Sequence, residues 1–270
     1  MTLEHKLQKL NHILTEMESA AVAFSGGVDS TLVLKVAHEA LGKGAVALTA
    51  VSPSLPRKDL DETREIASQI NVRHKLIRST EFENPHYLQN SSQRCYFCKT
   101  EVYSRFTRFA AKACLNVVVD GTNYDDRGDF RPGRKAAAIH NIRSPLLEAE
   151  LTKPEIRELA RRFNLPNWDK PSAACLSSRI PYGSQITIPV LSQVENGERL
   201  LHSLGIKQCR VRHHGDTARI EVNPADFEVI YSNSEKISDY FKKLGFIYTV
   251  LDLDGFRSGS LNASLNNNGQ

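Results

Sequence analysis

One short glycine-rich segment contains residue types that suit phosphate binding. Ser25-Gly26-Gly27-Val28-Asp29-Ser30 follows a short apolar run and precedes a stretch with helical periodicity. In this position backbone N–H groups and the helix dipole favour an anion, and glycines let the backbone approach it closely. The hydroxyls of Ser25 and Ser30 add donors. Asp29 would repel a phosphate unless Mg²⁺ lies between them, so we assign Asp29 to Mg²⁺.

Two common nucleotide-binding motifs are absent from this glycine loop. No lysine follows the glycines as the Walker motif requires, and the pattern G-x-G-x-x-G does not occur there. These absences exclude a P-loop kinase and a Rossmann dehydrogenase. A tight strand-to-helix turn with a serine cap is the alternative, and the complete pattern Ser-Gly-Gly-x-Asp-Ser favours a phosphate site over that turn.

The five cysteines fall into a reactive group and a structural group. Cys95 and Cys98 are three residues apart, so both thiols can meet one metal ion or cluster from a single turn. A redox disulfide and half of a zinc site remain open for this pair, although no second C-x-x-C or nearby histidine pair completes a structural zinc site. We interpret Cys114, on the inward face of a predicted helix, and Cys209, at the start of a predicted strand, as core residues.

Cys175 belongs to a long irregular segment, residues 167–183, that contains the single tryptophan of the chain. Loops of this length inside a domain are usually functional or disordered, and the cluster Cys175-Leu176-Ser177-Ser178-Arg179 favours function. Polar and basic residues near this cysteine, or in the C-terminal part of the chain, could hold a phosphate by charge-assisted hydrogen bonds, with ordinary surface arginines as the alternative. These candidates are Ser178, Arg179, Arg210, Arg212 and Arg257.

Apolar strands alternate with amphipathic helices over the first part of the chain. The predicted strands are 20–24, 45–51, 72–77 and 117–120, and the predicted helices are 3–18, 32–41, 59–70, 101–114 and 152–163. This alternation predicts an α/β fold with a parallel sheet that is wound on both faces. Ligands of such sheets lie beyond the carboxyl ends of strands, so we expect Ser25-Gly26-Gly27 and Asp120-Gly121-Thr122 to face one cleft.

The pattern changes after Ser184 to a small α+β unit. Its predicted elements are a helix at 189–204, strands at 209–214 and 218–222, a helix at 224–244 and a strand at 246–251. We therefore expect three segments. They are an α/β domain with the cysteine loop (1–183), a smaller α+β domain (184–261) and an Asn-rich tail (262–270).

The composition is that of a globular protein, with 40% hydrophobic and 24% charged residues. No apolar stretch approaches the roughly 20 residues that cross a bilayer, and the N-terminus lacks the apolar core of a secretory signal. We therefore expect a cytoplasmic protein without a membrane partner. The formal net charge of +4 is too small to indicate a nucleic-acid binder and allows a small anionic ligand.

The glycine loop resembles the PP-loop of the ATP pyrophosphatase superfamily, whose members release pyrophosphate while they adenylate a substrate oxygen. From about residue 20 to residue 260 the sequence is similar to the LarE family of this superfamily. Besides the loop, the resemblance is carried by Asp120-Gly121-Thr122-Asn123-Tyr124-Asp125-Asp126, Arg131-Pro132-Gly133, Arg143-Ser144-Pro145-Leu146, Leu151-Thr152-Lys153, Trp168-Asp169-Lys170-Pro171 and Ala174-Cys175-Leu176-Ser177-Ser178-Arg179-Ile180-Pro181-Tyr182-Gly183. It implies an adenine nucleotide alpha hydrolase-like fold. It also implies an ATP-dependent sulfur transferase that converts pyridinium-3,5-biscarboxylic acid mononucleotide carboxylates to thiocarboxylates for a nickel-pincer cofactor.

The same resemblance implies roles for individual residues. ATP and Mg²⁺ bind at the glycine loop and Gly121, while Asp29 and Cys175 act in catalysis. Contacts to the substrate phosphate come from Arg210 or Arg212 and from Arg257, and a divalent metal is held with help from Glu198 and Glu221.

The cysteine pattern departs from the simpler members of the LarE family. In them only the loop cysteine is present, and it gives up its own sulfur to become dehydroalanine. Cys95, Cys98 and Cys175 together could hold a [4Fe–4S] cluster with one open iron for substrate or sulfide, as in similar thiolation enzymes of the superfamily. We favour this cluster, reloaded by a sulfide donor, over a sacrificial Cys175.

Two other functions stay open. A tRNA or nucleoside thiolase would share the cluster chemistry, but no RNA-binding module or basic tract is visible in the sequence, so we do not expect a nucleic-acid partner. A nucleotide-binding redox sensor would use the thiols only as a switch. We expect a small phosphorylated carboxylate as the substrate and a homo-oligomer as the assembly.

Overall fold

The chain folds as two compact units. The computed structural model describes residues 1–128, 132–171 and 174–257. The first unit comprises Met1–Asn84 and Gln93–Ala173, and the second comprises Pro85–Ser92 and Ala174–Gln270. Each unit contains its own β-sheet.

The described residues form seven strands and eleven α-helices. The strands are β1 (Ala20–Ala23), β2 (Ala45–Val51), β3 (Arg73–Arg78), β4 (Val117–Val119), β5 (Cys209–His214), β6 (Thr217–Val222) and β7 (Tyr248–Leu251). The helices are α1 (Leu3–Thr15), α2 (Val28–Leu41), α3 (Arg57–Ile70), α4 (Pro85–Leu88), α5 (Arg94–Lys112), α6 (Pro132–Ile139), α7 (Pro145–Glu148), α8 (Lys153–Arg162), α9 (Ile188–Ser203), α10 (Phe227–Ser232) and α11 (Ser234–Lys243). None of these helices is both long and apolar enough to cross a membrane.

A four-stranded parallel sheet in the order β3-β2-β1-β4 forms the centre of the first unit. Ala20 of β1 lies opposite Ala45 of β2 and Val117 of β4, so β1 is a central strand. Small apolar residues suit a strand that is covered on both faces. Because all four strands are parallel, their carboxyl ends lie at one edge of the sheet, and the predicted parallel sheet is confirmed.

Helices cover both faces of this sheet with separate apolar clusters. Val22 belongs to a cluster with Leu34 of α2. Ala21, the preceding residue of β1, belongs to a second cluster with Val46 and Phe106. Successive side chains of a strand point to opposite faces of the sheet. Because Ala21 and Val22 belong to different apolar clusters, helices cover both faces, and the predicted doubly wound arrangement is confirmed.

Helix α8 begins where its sequence predicts. Thr152 is the N-cap, its backbone N–H donates to the Glu155 carboxylate at 2.8 Å, and Pro154 lies in the first turn. This capping box fixes the start of the helix, so Lys153 becomes its first residue.

The helix that contains the C-x-x-C pair differs from its prediction. It begins at Arg94 rather than residue 101 and ends at Lys112, so both cysteines of the pair lie near its N-terminus. The interpretation of Cys114 as a core residue was wrong: the residue is exposed with a φ of 53°, because it follows the end of α5. The same interpretation of Cys209 is confirmed, since that side chain is buried.

The second unit is built on a three-stranded mixed sheet. Strand β6 pairs antiparallel with β5 and parallel with β7, and Val211 and Phe241 are buried in this unit. The single helix predicted over 224–244 was wrong, because α10 and α11 are separate helices on either side of Asn233. The Asn233 amide donates to the Val229 carbonyl oxygen at 2.9 Å, a local bond of the kind that competes with helix continuation.

Residues 85–92 belong to the second unit and form hydrogen bonds with its residues 180–184. The Asn90 amide donates to three carbonyl oxygens, at 3.2, 2.7 and 3.0 Å, those of Ile180, Pro181 and Ser184. Residues 174–183 group with the second unit as well, whereas the sequence assigns them to the first domain. The domain boundaries named above stay a prediction.

Candidate active site

The glycine loop joins β1 to α2 at the carboxyl edge of the first sheet. Gly26 has a φ of 72°, and a Cβ atom there would lie 3.1 Å from the Thr63 side chain. Gly27 is the N-cap of α2, and no side chain caps the first N–H groups of that helix. The Ser25 and Ser30 hydroxyl oxygens lie 3.2 Å apart. A helix start with uncapped N–H groups and nearby hydroxyls suits a phosphate.

The end of β4 lies against the start of α2. A Cβ atom on Gly121 would lie 2.8 Å from the Ser30 nitrogen, so only glycine fits there. The preceding Asp120 is buried and accepts hydrogen bonds from the hydroxyls of Tyr103 at 2.9 Å and Ser144 at 2.8 Å. Burial raises the pKa of Tyr103 well above its ordinary value, and Asp120 raises it further, so this phenol stays a neutral donor. The structure thus brings Gly121 to the glycine loop.

Asp29 lies in the first turn of α2, and its carboxylate is already partnered. Lys153 Nζ lies 2.5 Å from Asp29 Oδ2, and the Asn123 amide donates to Oδ1 at 3.4 Å. Mg²⁺ in nucleotide sites usually binds one or two carboxylates and the substrate phosphates. One carboxylate beside a helix start that suits an anion therefore fits Mg²⁺.

Cys95 and Cys98 lie near the start of α5, in the first unit, and neither is in a disulfide. Cys95 is exposed and Cys98 is half-buried. Among the residues that the structure describes, no group of three or more His, Cys, Asp or Glu side chains could hold a metal ion. The pair alone supplies two of the thiolates of a cluster, so the [4Fe–4S] cluster stays a prediction.

Cys175 is an exposed thiol in the second unit. It is the N-cap of a 3-10 turn, Leu176–Arg179. The buried Ser177 hydroxyl lies 2.7 Å from the Tyr87 hydroxyl, and the Ser178 hydroxyl donates to the Cys175 carbonyl oxygen at 2.8 Å. These bonds fix the backbone that carries an accessible sulfur.

A buried guanidinium supports the same turn. Arg179 donates to both oxygens of Glu198, at 2.9 and 3.0 Å, and to the carbonyl oxygens of Ala174 and Cys175. Burial is the largest single influence and lowers the pKa of Arg179. The charge and hydrogen bonds of Glu198, together with Cys175 and Cys209, outweigh burial, so the pKa lies above its ordinary value. The structure therefore joins Arg179, predicted to bind substrate, with Glu198, predicted to bind metal.

Arg212 and Glu221 form a second buried pair. Arg212 donates to both oxygens of Glu221, at 3.0 and 2.8 Å, and to the Ser178 carbonyl oxygen at 2.7 Å. Arg219 adds a bond to Glu221 at 2.9 Å. Metal binding by Glu198 and Glu221 stays a prediction, and both carboxylates are engaged by arginines.

Arg210 and Arg257 are less buried than the paired arginines. The Arg210 guanidinium lies 5.2 Å from the centre of the Phe256 ring. Burial lowers the pKa of Arg210, and the positive charge of Arg179 lowers it further. Arg257 is exposed and pairs with Asp254 at 2.8 Å. An anion near Arg210 would relieve the repulsion among these cations, which suits the predicted contact with a phosphate.

The sequence gives no individual role to several residues that organise these segments. They are Tyr87, Asn90, Lys153, Asn167 and Lys170. Lys153 carries a sequence signal, because a lysine at the first residue of a helix opposes the helix dipole and indicates another role. The partners of the others are far away in sequence, so no local pattern identifies them.

Comparisons with known proteins come from a family model and from whole-chain relatives. A model described as NAD synthase matches residues 3–116. An uncharacterised protein of Synechocystis sp. is 43% identical over 265 residues, which cover 97% of this chain and 99% of that protein. A pyridinium-3,5-bisthiocarboxylic acid mononucleotide synthase of Lactiplantibacillus plantarum is 37% identical over 265 residues, 98% of this chain and 96% of that enzyme. An uncharacterised protein of Methanocaldococcus jannaschii is 30% identical over 261 residues, 96% of this chain and all of that protein.

Replacement of Asp29 tests the Mg²⁺ assignment. Asp29→Asn keeps the size of the side chain and removes its charge, so the affinity for ATP with Mg²⁺ should fall by about tenfold or more, ~1.4 kcal/mol. The affinity for ATP in the presence of a chelator should change little. Isothermal titration calorimetry measures both values.

The matched control for this substitution is Asp61→Asn, an exposed carboxylate on α3 in the same unit. The control should bind ATP like the unchanged protein with and without Mg²⁺. Equal Mg²⁺ dependence in the Asp29 variant and the control would remove Asp29 from the metal site.

Proposed function

Because the chain belongs to the LarE family of the PP-loop ATP pyrophosphatase superfamily, we propose that it adenylates and then thiolates the carboxylates of pyridinium-3,5-biscarboxylic acid mononucleotide. The protein is an ATP-dependent sulfur transferase that acts in nickel-pincer cofactor biosynthesis. The observation that carries this conclusion is the 37% identity to the synthase over nearly the full length of both chains. The phosphate-binding geometry between β1 and α2 supports it.

The first step activates the carboxylate. A carboxylate oxygen attacks the α-phosphorus of ATP, the bond from that phosphorus to the bridging oxygen breaks, and pyrophosphate leaves with the bonding electrons. N–H groups of the glycine loop hold the phosphates as fixed dipoles. Mg²⁺, when bound, neutralises phosphate charge beside Asp29. Lys153 lies beside the same carboxylate, so its ammonium group would add a positive charge next to the bound phosphates.

The second step exchanges AMP for sulfur. A sulfur nucleophile attacks the carbonyl carbon of the acyl adenylate, and AMP leaves with one former carboxylate oxygen. A thiolate is a stronger nucleophile than water, and AMP is a good leaving group. Cys175 suits sulfur delivery, as a ligand of a sulfide-carrying cluster or as the nucleophile itself, because its thiol is exposed while its backbone carbonyl accepts a hydrogen bond from Arg179 at 2.9 Å.

The substrate is a small phosphorylated carboxylate rather than a nucleic acid. Arg210 and Arg257 supply cationic groups for one phosphate. Burial and the positive charge of Arg179 lower the pKa of Arg210, so an anion beside Arg210 would be favourable. The formal net charge of +4 over 270 residues supplies no broad basic surface for RNA.

Product analysis tests the proposed function against its alternatives. The purified protein with ATP and Mg²⁺ should release AMP and pyrophosphate when pyridinium-3,5-biscarboxylic acid mononucleotide is added, and should not do so with bulk tRNA. Release that depends on tRNA would indicate an RNA thiolase. Nucleotide binding without pyrophosphate release under either condition would indicate a redox sensor.

The sulfur that reaches the substrate can come from a cluster or from a cysteine side chain. We propose that Cys95, Cys98 and Cys175 hold a [4Fe–4S] cluster whose open iron accepts sulfide from a donor, which allows repeated turnover. The support is a pair of thiols in one helical turn, Cys95 accessible and Cys98 half-buried, and a third exposed thiol in the proposed catalytic turn. A sacrificial Cys175 is the alternative and limits each chain to one turnover.

Removal of the paired thiols distinguishes these sulfur sources. Protein purified without oxygen should contain iron and sulfide, and Cys95→Ala or Cys98→Ala should lose both the iron and the multiple turnover, because two cluster ligands are then left. Chemical iron analysis and the number of thiocarboxylates formed per chain measure these effects. Cys114→Ala, which removes an exposed thiol outside the proposed cluster, is the control.

Mass spectrometry of the protein recovered after the reaction distinguishes the cluster from a sacrificial Cys175. The cluster predicts that the unchanged chain keeps its full mass after reaction. A chain that has lost the elements of hydrogen sulfide at Cys175, together with harmless Cys95→Ala and Cys98→Ala substitutions, would establish the sacrificial mechanism.

A further inference from the structure

A buried asparagine holds the glycine loop from behind. Asn167 is 6% exposed and lies after helix α8, in the first unit. Its amide nitrogen donates to the Gly26 carbonyl oxygen at 2.9 Å and to the Thr31 hydroxyl at 2.8 Å. Asn167 thus links a distant segment to the two ends of the loop-to-helix turn.

The orientation of this amide follows from its partners. The Gly26 carbonyl oxygen can only accept, so the Asn167 atom that faces it must be the nitrogen. The Asn167 oxygen is buried and has no hydrogen-bond partner among the described residues. A buried acceptor without a partner opposes folding, so stability alone does not account for an asparagine at this position.

Hydroxyl groups hold the next carbonyl of the loop in the same way. Thr31 is fully buried, and its hydroxyl donates to the Gly27 carbonyl oxygen at 2.9 Å. The Ser30 hydroxyl donates to the same oxygen at 3.1 Å. Two successive carbonyl oxygens, those of Gly26 and Gly27, are therefore held by side chains of the protein, and the Gly27 oxygen also accepts the backbone N–H of Thr31 at 3.0 Å.

Fixed carbonyl groups determine where the N–H groups point. A trans peptide is planar, and its N–H lies opposite its C=O. Since the Gly26 and Gly27 carbonyls turn towards Asn167, Thr31 and Ser30, the N–H groups of the next residues, Gly27 and Val28, turn away from them. The Gly27 N–H points towards the exposed Ser25 hydroxyl, at 3.4 Å.

We propose that Asn167 and Thr31 are positioning residues that orient the Gly27 and Val28 N–H groups for the pyrophosphate part of ATP. This inference rests on the proposed function, since it assumes that pyrophosphate forms at the glycine loop. Neither side chain touches the ligand. Their effect is to keep two peptide groups in the orientation that binds it.

Pyrophosphate with Mg²⁺ is the probe, and AMP is the comparison ligand, because AMP lacks the two phosphates that the loop holds. Asn167→Leu removes the amide at similar volume, and Thr31→Val removes the hydroxyl at similar shape. Both should weaken pyrophosphate binding by about tenfold or more in isothermal titration calorimetry and change AMP binding by less than about twofold. Thr31→Ser keeps the hydroxyl and should recover most of the affinity.

Thr107→Val is the matched control, because the Thr107 hydroxyl also donates to a backbone carbonyl oxygen, that of Tyr103, outside the loop. Its pyrophosphate affinity should equal that of the unchanged protein. Variants of Asn167 and Thr31 that bind pyrophosphate normally would overturn the inference. So would an equal loss of AMP and pyrophosphate binding with a lowered melting temperature, because that pattern is a general loss of structure. Failure of the unchanged protein to bind either ligand would overturn the proposed function as well.

Discussion

The close approach of two backbone segments at one edge of the parallel sheet is the constraint on which the rest of the first unit depends. Strands β1 and β4 are neighbours, so the residues after both strands meet at the start of α2. No side chain fits on Gly121 against Ser30, and Gly26 requires a positive φ. The proposed phosphate site is therefore built from backbone dipoles, which would already be oriented before charge develops on a departing pyrophosphate. Asp29 and Lys153 then add the charged groups that this backbone lacks.

In the second unit, two buried ion pairs hold the backbone around Cys175. The pairs Arg179–Glu198 and Arg212–Glu221 are both buried, although apolar residues of similar volume often stabilise a fold as well as such pairs do. Each arginine also donates to a carbonyl oxygen of the turn around Cys175. The ion pairs thus connect the small β-sheet and helix α9 to the backbone around the exposed thiol of Cys175. A fixed backbone with an exposed thiol suits the role that we propose for Cys175 in sulfur delivery.

The features that the sequence predicts are those that depend on local patterns of residues. Strand and helix periodicity predicts the parallel sheet, and the rule for strand ends places Gly121 beside the glycine loop before any coordinates are known. Positions that depend on tertiary contacts were missed. Asn167 and Tyr87 look like ordinary polar and aromatic residues until the fold brings Gly26 and Ser177 to them. Glu198 and Glu221 illustrate the same difficulty, because a sequence does not reveal which carboxylates are already paired with buried arginines.

Transfer of oxygen from the substrate to AMP tests the central claim, adenylation of a carboxylate before sulfur attack. Pyridinium-3,5-biscarboxylic acid mononucleotide with ¹⁸O in its carboxylates is incubated with the protein, ATP, Mg²⁺ and a sulfide donor, and the AMP is analysed by mass spectrometry. Each AMP should contain one ¹⁸O atom, because the carboxylate oxygen that attacks the α-phosphorus leaves with it. Unlabelled AMP, or ADP and phosphate as the products, alongside thiocarboxylate formation would contradict the account.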